Sequence, residues 1–145
     1  MAKERDTLVQ NLTDSTIAFM RAWKSSMITI LEDHDISPAQ AGILMFLNEH
    51  APISGKEIAA KMHISPSAVT QMLDALDKAG YLVRQADEQD RRINYLSLSK
   101  LGNKRVKQFQ KIRNEFFADL ASSLSDEELK LLTKIQNKMV DHIES

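Results

Sequence analysis

The sequence predicts a mainly α fold with one small β-hairpin, and three observations carry that prediction. Apolar residues return at three-, four- and seven-residue spacing along most of the chain. Capping boxes, a serine followed three residues later by Glu or Gln, stand before three of those runs, at Ser37, Ser54 and Ser125. Two short β-rich runs, 81–86 and 93–98, flank the charged hexapeptide DEQDRR and read as a hairpin with a charged tip.

Residues 6–32 form one long predicted helix, with Leu8, Leu12, Phe19, Trp23, Met27 and Leu31 on a stripe. That stripe is longer than a small domain can cover, so a partner is implied. Asp33-His34-Asp35 interrupts the pattern. Ser37 then caps a second helix, with Pro38 at its first position and Gln40 reaching back. It runs through Asn48 and buries Ile43, Leu44, Phe46 and Leu47, and residues 51–54 are read as a short third strand.

The chain is organised around residues 54–98. Ser54 and Glu57 box the start of a short helix over 55–62, His63 and Ile64 make a turn, and Ser65 with Pro66 opens a further helix that stops at Gly80. Val69, Met72, Leu73 and Leu76 share the face that must point into a core, which leaves Ser67, Thr70, Gln71 and Asp74 outside. Helix, tight turn, helix is the arrangement that lays a second helix in the major groove of DNA. A hairpin beside that helix is a wing, whose arginines can reach a minor groove.

Lys100 to Leu120 is helical, with Val106, Phe109, Ile112, Phe116 and Leu120 on one face. Ser125 and Glu128 box a last helix, whose Leu129, Leu132, Ile135, Met139 and Ile143 recur at nearly heptad spacing. Both ends of the chain therefore carry uncovered apolar stripes, and packing them on the same parts of a second copy makes a symmetric dimer.

The chain has 145 residues and a formal net charge of -1, which does not announce a nucleic-acid binder. The charge is uneven. Lys100, Lys104, Arg105, Lys107, Lys111 and Arg113 come without an acid, a run that reads equally as a solvated face or a phosphate-facing one, whereas the C-terminal part is acidic. There is no cysteine, which excludes disulfides and thiol sensing. With no apolar run near the ~20 residues that span a bilayer and no secretory pattern, no membrane association is expected, and a soluble cytoplasmic protein is. His34, His50, His63 and His142 are unpaired at helical spacing, so no metal site is expected. No phosphate loop or nucleophile elbow is present, which argues against an enzyme, and no cofactor is implied.

Residues 54–99 resemble the winged helix-turn-helix of the MarR/SlyA family of bacterial transcription regulators. The resemblance rests on Asp87-Glu88-Gln89-Asp90-Arg91-Arg92 followed by Leu96-Ser97-Leu98-Ser99, similar to that family's D-x-x-D-R-R wing leading to L-T, with Ser99 where Thr is commoner. It implies a winged helix-turn-helix with long N- and C-terminal dimerisation helices: residues 1–35 for dimerisation, 36–99 for DNA, and 100–145 completing the dimer region. It further implies a homodimer, held through Leu8, Leu12, Leu132, Ile135, Met139 and Ile143, on a pseudo-palindromic operator in double-stranded DNA, with half-sites about 34 Å apart. DNA contacts fall to Lys56, Ser65, Pro66, Ser67, Thr70, Gln71, Arg91 and Arg92, while Asp87 and Asp90 hold the neighbouring arginines. A small aromatic or phenolic ligand is implied, with Trp23, Met27, Met45 and Phe116 as candidate lining and a repressor role by family habit. The alternative is a winged helix used for protein contact, with no specific DNA binding.

Overall fold

The computed structural model describes residues 2–32 and 34–145. Asp33, read above as part of a helix break, lies outside the described residues. The order of elements is α1 (Ala2–Glu32), α2 (Pro38–His50), β1 (Ile53–Ser54), α3 (Gly55–Met62), α4 (Pro66–Lys78), β2 (Leu82–Ala86), β3 (Asn94–Leu98), α5 (Lys100–Ala121) and α6 (Asp126–Glu144). The chain divides into two compact units, Met1–Asn103 and Lys104–Ser145. No described helix is long and apolar enough to cross a membrane.

In the first unit the starts of α2, α3 and α4 are fixed by the residues that the sequence offers. The side chains of Ser37 and Ser54 accept from Gln40 and Glu57 N–H, and both boxes close reciprocally. Ser65 caps α4, with Pro66 at the first helical position. The turn between α3 and α4 passes through His63 in the left-handed region, φ 54°, and Gly80 after α4 has φ 80°. The core is aliphatic: Ile43, Leu44, Leu47 and Ile58 are wholly buried, with Val69, Leu73, Leu76 and Leu96 nearly so. Each such side chain contributes about 1.5–3 kcal/mol relative to exposure, so α3 and α4 are held from inside and their outer faces are left free. Met72 and Phe46, expected in the core, are only half-buried.

The sheet has the order β1-β3-β2, all antiparallel. The expected third strand is present, with Ile53 opposite Leu96 and Ser54 opposite Tyr95. Arg84 faces Leu96 from the other side, which places Ile53, Leu96 and Arg84 on one face of the sheet. The wing closes where it opened. Ser99 N–H donates to the Tyr81 carbonyl at 2.9 Å, Ser99 Oγ donates to the Gly80 carbonyl at 2.6 Å, and Gly102 N–H donates to Ser99 Oγ at 3.0 Å.

In the second unit, Val106 and Phe109 are buried, and the Arg105 guanidinium lies 5.2 Å from the Phe109 ring centre. Ser125 caps α6 through the expected box with Glu128. Along α6, Leu132, Ile135, Met139 and Ile143 are exposed, with Leu131 and Val140 widening the stripe. On α1 of the first unit, Leu8, Leu12 and Phe19 are exposed, and at 100° per residue they fall within about 40° of one another.

A Cβ on Gly102 would collide with the carbonyl oxygen of Tyr81, a backbone atom that cannot swing away. Gly102→Ala should therefore lower stability by about 2 kcal/mol or more. Urea unfolding checks it, and an unchanged midpoint would show that the start of α5 is free to shift.

Candidate nucleic-acid interface

The helix-turn-helix presents α4 with its polar side outward. Ser65, Pro66, Ser67, Thr70 and Gln71 are all exposed, as is Lys56 in the first turn of α3. Ser65 Oγ accepts from Ala68 N–H at 3.3 Å and lies 3.3 Å from Ser67 Oγ, so the cap already holds part of this hydroxyl pair. Thr70 Oγ1 donates to the Pro66 carbonyl at 2.9 Å, which leaves its methyl and its lone pairs to the outside. The Gln71 amide takes no partner among the described residues and can pair with a base edge. The N-terminus of α4 adds oriented N–H groups and a positive dipole end, which favour phosphate.

The wing tip is built on two aspartates. Asp87 Oδ1 accepts from the backbone N–H of Gln89 and of Asp90, each at 2.8 Å, and these bonds hold its carboxyl below the ordinary aspartate range. The sequence predicts that both aspartates hold arginines. Asp87 instead orders the backbone of the tip, its Oδ1 taken by two loop amides and bonded to no arginine among the described residues. Asp90 does hold an arginine, since its Oδ1 accepts from Arg92 N at 3.0 Å and from Arg92 Nε at 3.2 Å. The Arg92 side chain is nonetheless 93% exposed, and Arg91 is exposed with no partner among the described residues.

A cleft of about 370 Å³ separates the wing from α3 and α4, lined in part by Lys56, Thr70, Asp74, Arg84, Arg92 and Asn94. Inside it lies a contact that sequence reading missed. Arg84 on β2 donates through Nε to Asp77 Oδ2 at 2.7 Å and through Nη2 to Asp74 Oδ1 at 2.9 Å. The hydrogen bond donated to Asp77 outweighs partial desolvation and raises the guanidinium's pKa above its already high value. Partners seven and ten residues away, across a helix end, follow no helical or strand period.

Of the residues considered for a ligand, Trp23, Met27 and Met45 are half-buried in the first unit. Phe116 is half-buried in the second, edge-on to Phe117 at 6.1 Å.

An outward helix on a helix-turn-helix, with an arginine-tipped hairpin beside it, defines a winged helix-turn-helix of the DNA-binding kind. Residues 34–93 match the MarR family. The chain is 29% identical over 143 residues to the HTH-type transcriptional repressor MdtR of Bacillus subtilis (strain 168), across 99% of this chain and 92% of that protein. It is 30% identical over 114 residues to YsmB of the same strain, an uncharacterized HTH-type transcriptional regulator, across 76% of this chain and 78% of that one. The crystal structure of an S. aureus MepR-DNA complex is similar at a TM-score of 0.71 and 26% identity, covering 90% of this chain and 96% of that one. This chain belongs to the MarR family and is an HTH-type transcriptional regulator.

The Asp87 carboxylate gives a pH test of the wing. Its folded pKa is depressed, so the order it confers is complete above about pH 4, the ordinary aspartate value, and is lost as pH falls through the lower folded value. Carboxyl NMR titration should find an Asp87 midpoint below that of ordinary aspartates, with Gln89 and Asp90 amide shifts following it. An Asp87 that titrates normally would mean that the tip is not fixed this way.

Proposed function

We propose that this chain is a repressor that binds a pseudo-palindromic duplex operator as a homodimer, with α4 in the major groove and the wing in the minor groove. The observation that carries the reading is the outward face from Ser67 to Gln71, which is exposed while Val69, Leu73 and Leu76 anchor the same helix in the core. Gln71 reads a base edge, an amide being suited to adenine, and Thr70 offers a methyl to thymine. Ser65, Pro66, Ser67 and Lys56 sit against phosphates, and these contacts set the register. Arg92 enters the minor groove, with Arg91 beside it on the backbone.

The homodimer is supported by the apolar stripes of α1 and α6. Leu8 and Leu12 are 63% and 53% exposed, and Leu132, Ile135, Met139 and Ile143 run from 44% to 81%. A monomer rarely leaves such continuous apolar faces to water. Two copies related by a two-fold axis would also set the two recognition helices one duplex turn apart. Release by a small aromatic or phenolic ligand requires only that the ligand bind one spacing of those helices more tightly than the other.

Fluorescence anisotropy with a duplex from the protein's own promoter region tests the DNA reading. Binding should weaken steeply with salt, and Arg92→Ala should cost at least about 1 kcal/mol and lower the salt slope by about one. Absence of any salt-dependent binding would favour a protein-contact module. Sedimentation tests the dimer: the wild type should run as a dimer at micromolar concentration, and Leu132→Glu with Ile135→Glu should shift it to monomer. A wild-type monomer would remove that part of the proposal.

A further inference from the structure

The acids of α4 pose a problem for any helix meant to approach phosphates. At 100° per residue, Asp74 lies about 20° from Ser67 and about 60° from Gln71 around the helix axis, on the side that the core leaves free. Asp77 stands one turn further along, next to Thr70 in projection. Two unpaired carboxylates there would repel the duplex. Arg84 meets both, using two different nitrogens on two different side chains. A guanidinium offers donors spread in a fixed planar fork of that kind, whereas an ammonium would have to bring both acids to a single nitrogen. The groups are 35%, 66% and 40% exposed for Arg84, Asp74 and Asp77, and ion pairs so open to water contribute little to stability. Their consequence is geometric. Arg84 belongs to β2, whose register with β3 is set by five residue pairs from Leu82–Leu98 to Ala86–Asn94, so a clamp on Arg84 holds the whole hairpin against α4.

We infer that Arg84 is a positioning residue for DNA binding: by clamping Asp74 and Asp77 it removes acid from the groove-facing side of α4 and fixes the angle at which the wing offers Arg92. This rests on the DNA-binding reading above. Arg84 itself touches no base or phosphate in it. Its head group is turned toward α4, and Arg92 alone of the two is almost fully open to solvent.

The test is a double-mutant cycle on a duplex selected by the wild-type protein from a randomised pool. Failure of the wild type to select any duplex would count against the DNA reading and hence against this inference too. Given a selected duplex, Arg92→Ala should weaken wild-type binding by about fivefold or more, and in an Arg84→Gln background by less than about twofold, because the wing no longer presents Arg92 in register. Asp74→Asn with Asp77→Asn, which frees Arg84 without changing its charge, should shrink the Arg92→Ala factor in the same way. An undiminished Arg92→Ala factor in both backgrounds overturns the inference. So does tighter binding by the Asp74→Asn, Asp77→Asn protein with the Arg92 factor unchanged, which would mark Arg84 as a direct phosphate ligand. Circular dichroism and melting accompany each variant, and should Arg84→Gln fail to fold, the near-isosteric asparagine pair decides alone.

Discussion

The wing is tied at its root to the end of α4, and the candidate interface depends on that tie. Gly80 and Tyr81 leave α4, the hairpin goes out and returns, and Ser99 comes back to bond both of them. One hydroxyl donates to the Gly80 carbonyl and accepts from Gly102 N–H, so it caps α5 while it closes the loop. Gly102 is demanded by the same approach, since the Tyr81 carbonyl occupies the space of a side chain. Further along, β3 is also held by its pairing with β1, at Ile53–Leu96 and Ser54–Tyr95. The Arg84 fork adds an attachment on the outer strand, tying β2 directly to α4.

Register matters here more than strand length. Leu82 and Leu96 are buried and Arg84 faces α4 because they share one face of the sheet. A slip of one residue would turn Leu96 to water and take Arg84 away from both aspartates. The buried leucines therefore enforce the polar contact that they do not make. Core packing and the geometry of the exposed side of α4 and the wing are in this sense one constraint.

Much of this was legible in the residues, and the legible part is local. The boxes at Ser37, Ser54 and Ser125 are hydrogen bonds between residues three apart, so spacing alone announces them. The hairpin was legible too, but each strand begins one residue later than its β-rich run. Tyr81 N–H is spent on the Leu76 carbonyl at the helix end, and Ile93 N–H on the Asp90 carbonyl in the tip. The Arg84 clamp, the close approach at Gly102 and the backbone role of Asp87 were not legible. Each depends on where a turn delivers one element beside another, which no period in the sequence encodes.

The charge balance then stops being an objection. Between Ser54 and Ser99 there are six acidic and six basic residues, and a neutral segment looks unsuited to a polyanion. Five of the six carboxylates, those of Glu57, Asp74, Asp77, Asp87 and Asp90, accept hydrogen bonds within the segment, from a cap, a guanidinium or a loop amide. Lys56 and Arg91 have no such engagement among the described residues, and they stand on the exposed side. At physiological salt, charges further apart than about 8 Å scarcely feel one another. What a phosphate meets is therefore the local arrangement and not the sum. Acids tied into the wing and the helix starts keep their charge but have their positions fixed, so a chain can be neutral overall and still present cations where a duplex would lie.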